Sequence, residues 1–169
     1  MWSLLYAIPH LYWGLGGRAG LSLFRPEASE TGIFEAANVF ASFLIAFAGC
    51  LGFVLERLAH TVWPRRIALF ICGAGAAIAA AHGVYGIIFR IEQWTGVLDV
   101  DGERFSRSEH AWVLWDLFLI EPWFVVEGAI LWLTGYCALV STTERRRWGL
   151  GTAALFGVAF ASAVAGVNA

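Results

Sequence analysis

The stretch WDLFLIEPWFVVEGAILW, residues 115–132, has the composition of a membrane-spanning helix, yet it contains three carboxylates. Apart from Asp116, Glu121 and Glu127, its residues are almost all apolar or aromatic. A helix needs about 20 such residues to cross a bilayer, so this stretch predicts most of one span. An acidic side chain inside a span is costly and usually has either a function or a partner. The three acids are therefore the first candidates for a functional site.

The rest of the chain has the same character. Of its 169 residues, 59% are hydrophobic, whereas soluble domains usually have about 45–50% apolar residues. We predict one domain, residues 1–169, folded as an all-α polytopic membrane helical bundle with about five transmembrane helices. The spans are placed at residues 1–16, 33–58, 68–91, 111–140 and 149–167. The first is short and contains Pro9, which leaves open whether it crosses the bilayer completely.

The composition also excludes several classes of function. All eleven basic residues are Arg, so neither a retinal Schiff base nor a lysine nucleophile is possible. The formal net charge of −2 argues against a nucleic-acid partner. Cys50, Cys72 and Cys137 form no ligand pattern with histidine, so we predict no metal site and no cofactor.

The arginines predict the topology. The connections after the second and fourth spans carry Arg57, Arg65, Arg66 and the triplet at 145–147. By the positive-inside rule, the N-terminus is expected in the cytoplasm. The use of Arg alone, with abundant Ala and Gly, favours a bacterial protein of the inner membrane. In the connection after the third span, Asp101 and Gly102 are expected to form the turn of a short hairpin.

Several other polar side chains fall inside the predicted spans. From a helical rise of about 1.5 Å per residue, His10, His82 and Glu121 lie in one depth band, slightly away from the Arg-rich face. Asn38, Tyr85, Asp116, Glu35 and Arg90 lie further toward the opposite face. This arrangement predicts a polar cavity open to that side or to the outer leaflet of the membrane. Arg90 and Glu35, near the ends of their spans, are expected to reach the membrane surface.

The three acids do not share one face of a straight helix. At about 100° per residue, Asp116 and Glu127 lie on the same side, whereas Glu121 lies roughly 140° from Asp116. Pro122 removes the backbone hydrogen bond to the carbonyl of Phe118 and can kink the helix. We therefore expect that one pocket holding all three acids requires a kink at Pro122.

This set of side chains suits acid–base chemistry on a lipophilic molecule. Apolar surroundings disfavour the charged form of a carboxylate, so a buried acid can donate a proton near neutral pH. We predict Glu121 or Asp116 as the proton donor, with His82, His10 and Glu127 as further catalytic candidates. Aromatic faces stabilise carbocations, and the predicted substrate-binding residues are Trp115, Trp123, Phe118, Phe124, Tyr85, Tyr12, Trp13 and Asn38. The predicted reaction is a protonation-initiated isomerisation or cyclisation of a terpenoid- or sterol-like substrate.

Other interpretations remain open at the level of sequence. Buried pairs of acids with His or Arg can be purely structural. The protein could be a non-enzymatic subunit of a larger membrane complex, or bind a lipid, quinone or pigment. A small proton-coupled transporter would use the acids as a relay. In the fifth span, small residues recur at four-residue spacing, which fits packing within the bundle or a homo-oligomeric contact: Ala153, Gly157, Ala161 and Ala165.

Two segments resemble a known family. PHLYWGLGGRAGL, residues 9–21, resembles the opening of a family of small actinobacterial membrane proteins of unknown function, and EPWFVVEGAILW, residues 121–132, resembles a later helix of similar sequences. The resemblance implies a small helical bundle and no particular activity. A looser likeness, in architecture and chemistry, to integral-membrane terpene cyclases and sterol isomerases implies the use of buried carboxylates and aromatic rings. The first segment is represented here by His10, Tyr12, Trp13, Gly16 and Gly17.

Overall fold

The computed structural model describes residues 2–20, 32–97 and 112–167, and nearly all of them are helical. No strand occurs in these ranges, which confirms the predicted all-α bundle. The hairpin expected at Asp101 and Gly102 lies outside the described residues. The helices are α1 (Trp2–Gly14), α2 (Gly32–Arg57), α3 (Val62–Thr95), α4 (Trp112–Ala138) and α5 (Thr142–Val167).

Four of the described helices, α2 to α5, are long and apolar enough to cross a membrane. Helix α1 has 13 residues and contains Pro9. Its length of about 20 Å is short for a hydrocarbon core of about 30 Å. The described residues therefore form five helices, as predicted: four of span length and one short helix, α1, whose crossing the sequence had left open.

Two helices begin earlier than the sequence pattern predicted. Helix α3 begins at Val62 rather than at residue 68, because Pro64 falls within its first turn, where a missing N–H costs no hydrogen bond. Helix α5 begins at Thr142, so the Arg triplet at 145–147 is helical rather than part of a connection. Its start is fixed by a reciprocal pair: Glu144 N–H donates to Ser141 Oγ, and Ser141 N–H donates to the Glu144 carboxylate.

Helices α1 and α2 are antiparallel and lie very close together. Ser3 lies beside Gly49, and Gly14 lies beside Val39. A Cβ at Gly14 would lie 2.7 Å from the backbone nitrogen of Val39, so only glycine permits this approach. The start of α1 therefore contacts the middle of α2.

Helices α3 and α4 form the second antiparallel pair, and α5 packs on the outer side of α3. A Cβ at Gly128 of α4 would lie 2.8 Å from the backbone nitrogen of Ala80. Gly73 of α3 makes room for Trp148 and Thr152 of α5. These contacts place α3 at the centre of the bundle, between α4 and α5.

The apolar core and two of the buried acids, Asp116 and Glu121, occupy different halves of the bundle. We call the end that carries Arg57, Arg65, Arg66 and residues 145–147 the Arg-rich end. The core lies in the half next to it and consists of Leu51, Leu55, Ala68, Leu69, Cys72, Ala76, Leu131 and Leu139. Asp116 and Glu121 lie in the opposite half and are 5% and 6% exposed. The polar site is thus not part of the main apolar core.

Candidate functional site

A π-helical turn in α4 positions the first two acids. Residues Asp116–Ile120 form this turn, in which the N–H of Glu121 donates to the carbonyl of Asp116 five residues earlier. The turn ends two residues before Pro122, which has no N–H to continue the α-helical bonding. One such turn takes one more residue than an α-helical turn, so Asp116 and Glu121 face the same neighbour instead of lying about 140° apart. The wide turn does what the sequence had assigned to a proline kink.

Asp116 is held by Arg90 of α3. Arg90 Nε donates to Asp116 Oδ2, and Arg90 Nη1 donates to Gln93 Oε1. The guanidinium also lies over the ring of Trp112, 3.8 Å from its centroid. The Arg90 side chain is only 13% exposed, so the prediction that it reaches the surface is wrong. Its charge is drawn inward because Asp116 and the indole face replace the water that it gives up.

Glu121 lies one turn along and has a different environment. Its carboxylate lies directly against Gly86 of α3, where a Cβ would overlap it. Its Oε2 is buried and has no hydrogen-bond partner among the described residues. A basic group, Nε2 of His82, lies 3.8 Å from this oxygen. Glu121 also interacts through charge with Asp116 and Arg90.

His82 connects this buried acid to the outside of the bundle. Its side chain is 57% exposed, whereas that of Glu121 is 8% exposed. The imidazole packs edge-on against Phe124, with ring centroids 4.4 Å apart. The pair therefore joins an exposed base to a buried acid without a direct hydrogen bond between them.

His82, Gly86 and Arg90 follow one another at four-residue spacing along α3. Such spacing places them on one side of the helix, which is the side that meets Glu121 and Asp116 of α4. Glu121 thus faces Gly86 and His82 of α3, and Asp116 faces Arg90 one turn further along α3. This spacing was visible in the sequence, and it was the signal that could have identified Gly86 and Arg90 as part of the site.

Glu127 and His10 lie in separate surroundings. Ser3 Oγ donates to Glu127 Oε1 at 2.7 Å, which ties α4 to α1 rather than to α3. Nδ1 of His10 lies 2.8 Å from Oδ1 of Asn38. Asn38 Nδ2 donates to the carbonyl of Phe34, so the Asn38 Oδ1 is the acceptor and Nδ1 of His10 is the donor in this contact. The other ring nitrogen, Nε2 of His10, has no hydrogen-bond partner among the described groups. The three acids therefore do not share one pocket.

An aromatic cluster joins α1 to the Glu121–His82 pair. Trp123 stacks on Trp2 with centroids 4.0 Å apart and on Tyr6 at 5.2 Å. Tyr6 also contacts Phe124 edge-on at 5.4 Å. Sequence reasoning missed Tyr6 and Ser3. Ser3, Tyr6 and His10 recur at helical spacing, but the uncertain status of the first span hid that pattern.

The other predicted substrate-binding residues lie away from this cluster. Trp115 and Phe118 are on the outer surface of α4, 47% and 69% exposed. Tyr85 faces α5, where it contacts Phe160. Two more of them, Tyr12 and Trp13, form hydrogen bonds with the segment after α1. Trp13 Nε1 donates to the carbonyl of Ala19, and the N–H of Ala19 donates to the Tyr12 hydroxyl.

Three grooves of the bundle lie apart from the Glu121–His82 pair. Two, of about 420 and 290 Å³, run between α2 and α4 near the Arg-rich end. The third, of about 560 Å³, is an apolar groove between α3, α4 and α5. None of these three is lined by Glu121, Asp116 or His82. In the described ranges, no three His, Cys, Asp or Glu side chains are grouped closely enough to hold a metal ion.

The fold and the site define a class of protein: a small helical bundle with membrane-span-like helices and acids buried between them. Its family is the one described as "Protein of unknown function (DUF3995)", which matches residues 3–131, about three quarters of the chain. The chain belongs to this family. The match includes α1, the candidate site and most of α4, but not α5. No curated protein and no solved structure matches the chain at a significant level.

Proposed function

We propose that the protein is an integral-membrane enzyme that moves protons on and off a lipophilic substrate at the Glu121–His82 pair. The reaction is the isomerisation or cyclisation of a terpenoid- or sterol-like alkene. The observation that supports it is the buried, unpartnered Oε2 of Glu121, 3.8 Å from Nε2 of an exposed imidazole. Buried carboxylates without a full set of hydrogen bonds are costly and are frequent at functional sites.

The unequal exposure of the pair supports a division of roles between His82 and Glu121. His82 is exposed on the outside of the bundle, whereas Glu121 lies behind it, against Gly86. A molecule that approaches from the lipid therefore meets the imidazole first. Because His82 lies near the middle of α3, the surrounding medium is hydrocarbon, and the substrate must be lipophilic.

The proton cycle of an isomerisation closes with these two groups alone. The protonated imidazole gives a proton to one carbon of the alkene, which leaves a carbocation on its neighbour. The neutral imidazole then takes a proton from an adjacent carbon, and the double bond reforms one position along. Glu121 exchanges its proton with Nε2 and keeps the imidazole in the required state. Phe124, Tyr6 and Trp123 supply the aromatic faces that stabilise the positive charge.

Asp116 has a structural role in this proposal. Its charge is already neutralised by Arg90, which is hydrogen-bonded to it. A proton donor must be able to reach the substrate, whereas the Asp116 oxygen is occupied by the Arg90 guanidinium. The Asp116–Arg90 pair therefore fixes α4 against α3 next to the reacting groups.

Deuterium incorporation tests the proposal whatever the identity of the product. The protein is reconstituted in liposomes in D₂O with polyprenyl or sterol alkenes, and the extracted lipids are measured by mass spectrometry. The wild type is expected to introduce deuterium into an alkene. Glu121→Gln and His82→Gln should each abolish it, whereas Tyr85→Phe, on the α5 side, should retain it. Full incorporation in Glu121→Gln would remove that residue from the mechanism.

A second candidate is a non-enzymatic membrane subunit or lipid-binding protein. The close packing of Glu121 against Gly86 supports it, because a substrate has no ready-made space beside the carboxylate. The same liposomes distinguish the two functions. No deuterium with any alkene, together with a stoichiometric partner in native purification, would support the subunit and argue against the enzyme.

A further inference from the structure

We infer that the seam between α2 and α4 at the Arg-rich end binds one phospholipid whose headgroup carries both a phosphate and a primary ammonium group. The inference concerns a different part of the bundle from the Glu121–His82 pair. It does not depend on the proposed enzymatic reaction.

The seam contains two adjoining grooves. The one nearer the Arg-rich end has a volume of about 420 Å³, and the one above it has about 290 Å³. Both are lined by Gly52, Glu56 and Thr134, so they form one continuous depression. We call this depression the α2–α4 groove.

The groove extends from the start of α1 toward the Arg-rich end. Trp2 and Ser3 line the end of the groove that is farther from the Arg-rich end, where Ser3 packs against Gly49 of α2. From Gly49, α2 continues to Arg57, a further eight residues or about 12 Å. Along this length, the described part of α1 no longer covers the seam between α2 and α4. An acyl chain has the shape and polarity to fill such a strip inside a bilayer.

The walls and the mouth of the groove differ in polarity. Leu55, Phe53, Ile130 and Leu131 line the depression and offer an apolar surface. Glu56 and Arg65 line it toward the Arg-rich end. An amphipathic molecule can therefore place its tail along the walls and its headgroup at the mouth.

The two charges at the mouth select the headgroup. Nη2 of Arg65 donates to the carbonyl of Ala138 at 2.7 Å, which anchors the guanidinium and leaves its other N–H groups for a phosphate. The structure gives the Glu56 carboxylate no ion-pair partner within the described ranges. An ammonium group satisfies Glu56, whereas an anionic headgroup would be repelled by it. A quaternary ammonium has no N–H to donate, so a primary ammonium is the better match.

Native mass spectrometry of the full chain in detergent tests the inference. Three lipids of equal chain length are titrated: phosphoethanolamine, phosphocholine and phosphoglycerol lipids. We expect one phosphoethanolamine lipid to be retained more strongly than the other two. Glu56→Gln should reduce that preference by about threefold, in line with a partly exposed charge pair. Glu92→Gln also removes one negative charge, but at the end of α3 far from Arg65 and the groove. This control variant should leave the preference for the phosphoethanolamine lipid unchanged.

A substitution in the wall of the α2–α4 groove tests whether the acyl chain lies there, independently of the charges that meet the headgroup. A Cβ at Gly52 would have Thr134 Cγ2 at 3.7 Å, an ordinary contact, so Gly52→Leu fits the helix and fills the groove. It should abolish retention of the lipid. Gly157→Leu, on a surface of α5 with nothing within 4 Å, is the matched control.

Three outcomes would overturn the inference. Equal retention of phosphoglycerol and phosphoethanolamine lipids would remove the role of Glu56. Unchanged retention in Gly52→Leu would show that the tail does not lie in the groove. Competition by free phosphoethanolamine at the same concentration as the lipid would show that the apolar walls contribute nothing.

Discussion

Asp116 and Glu121 lie one π turn apart on the same helix, both are buried, and both face α3, yet their surroundings differ. Asp116 is hydrogen-bonded to Arg90, whose guanidinium is also covered by Trp112. Glu121 has an oxygen without a hydrogen-bond partner among the described residues, a glycine against its carboxylate, and a histidine at 3.8 Å. A fully partnered charge stabilises a structure, whereas an incompletely partnered one leaves a group free to react. The comparison supports a structural role for Asp116 and agrees with the reacting role proposed above for Glu121.

The largest effect is expected from Arg90→Gln. The substitution leaves the Asp116 carboxylate buried without its counter-charge, which typically costs about 3–5 kcal/mol. SDS titration in mixed micelles should show this loss in the free energy of unfolding. Arg90→Gln combined with Asp116→Asn should recover more than half of it. A single variant as stable as the wild type would show that the pair does not hold α4 to α3.

A smaller effect is expected from Gly86→Ala. The added Cβ overlaps the Glu121 carboxylate, and overpacking of this kind costs about 1–3 kcal/mol. The same titration measures it, with Gly157→Ala as the control at an open position of α5. Adding Glu121→Ala to Gly86→Ala should relieve the overlap. If the double variant is no more stable than Gly86→Ala alone, the glycine does not serve to accommodate the acid.

Glu121→Gln should change stability by about 1 kcal/mol or less. Within the described part of the chain, no hydrogen bond to Oε2 exists for the substitution to break, and one ordinary hydrogen bond contributes about 1 kcal/mol. Asp116→Asn, which weakens a buried ion pair, should cost clearly more in the same measurement. Equal costs for the two variants would contradict the distinction between the two acids.

His82→Gln should have the smallest effect on stability, within about 0.5 kcal/mol. Its side chain is 57% exposed, and substitutions at exposed positions usually fall in this range. Thermal unfolding followed by circular dichroism provides the measurement. A large loss of stability would show that His82 is a structural partner of Glu121 rather than an exposed base.

The helical architecture could be predicted because long apolar runs leave few alternatives to membrane-span-like helices. The depth estimate also placed His82 level with Glu121, and the structure brings these two groups together. The depth estimate could not show that the Arg90 side chain turns inward. A charged side chain near a helix end can either extend to the membrane surface or pair with a buried acid. The choice depends on Asp116 and Trp112, which belong to another helix.

The π turn lay beyond sequence reasoning for a similar reason. Pro122 indicates a break in the hydrogen-bond ladder, but a kink and a wide turn both accommodate it. Contacts of Asp116 and Glu121 with α3 accompany the wide turn that forms here. The contacts of α1 could not be predicted either. Ser3 and Tyr6 become candidates for the site only once the structure shows that α1 lies against α4.

The wide turn divides α4 into two segments with different rotational phase. The segment before it is aligned with Arg90, and the segment after it is aligned with Gly86. Loss of one residue from the four between Asp116 and Glu121 would leave the two acids four residues apart, about 40° on a regular α-helix. An ordinary α-helical turn would then replace the wide one, and both acids would still face α3. The wide turn therefore absorbs one extra residue without turning either acid away from α3.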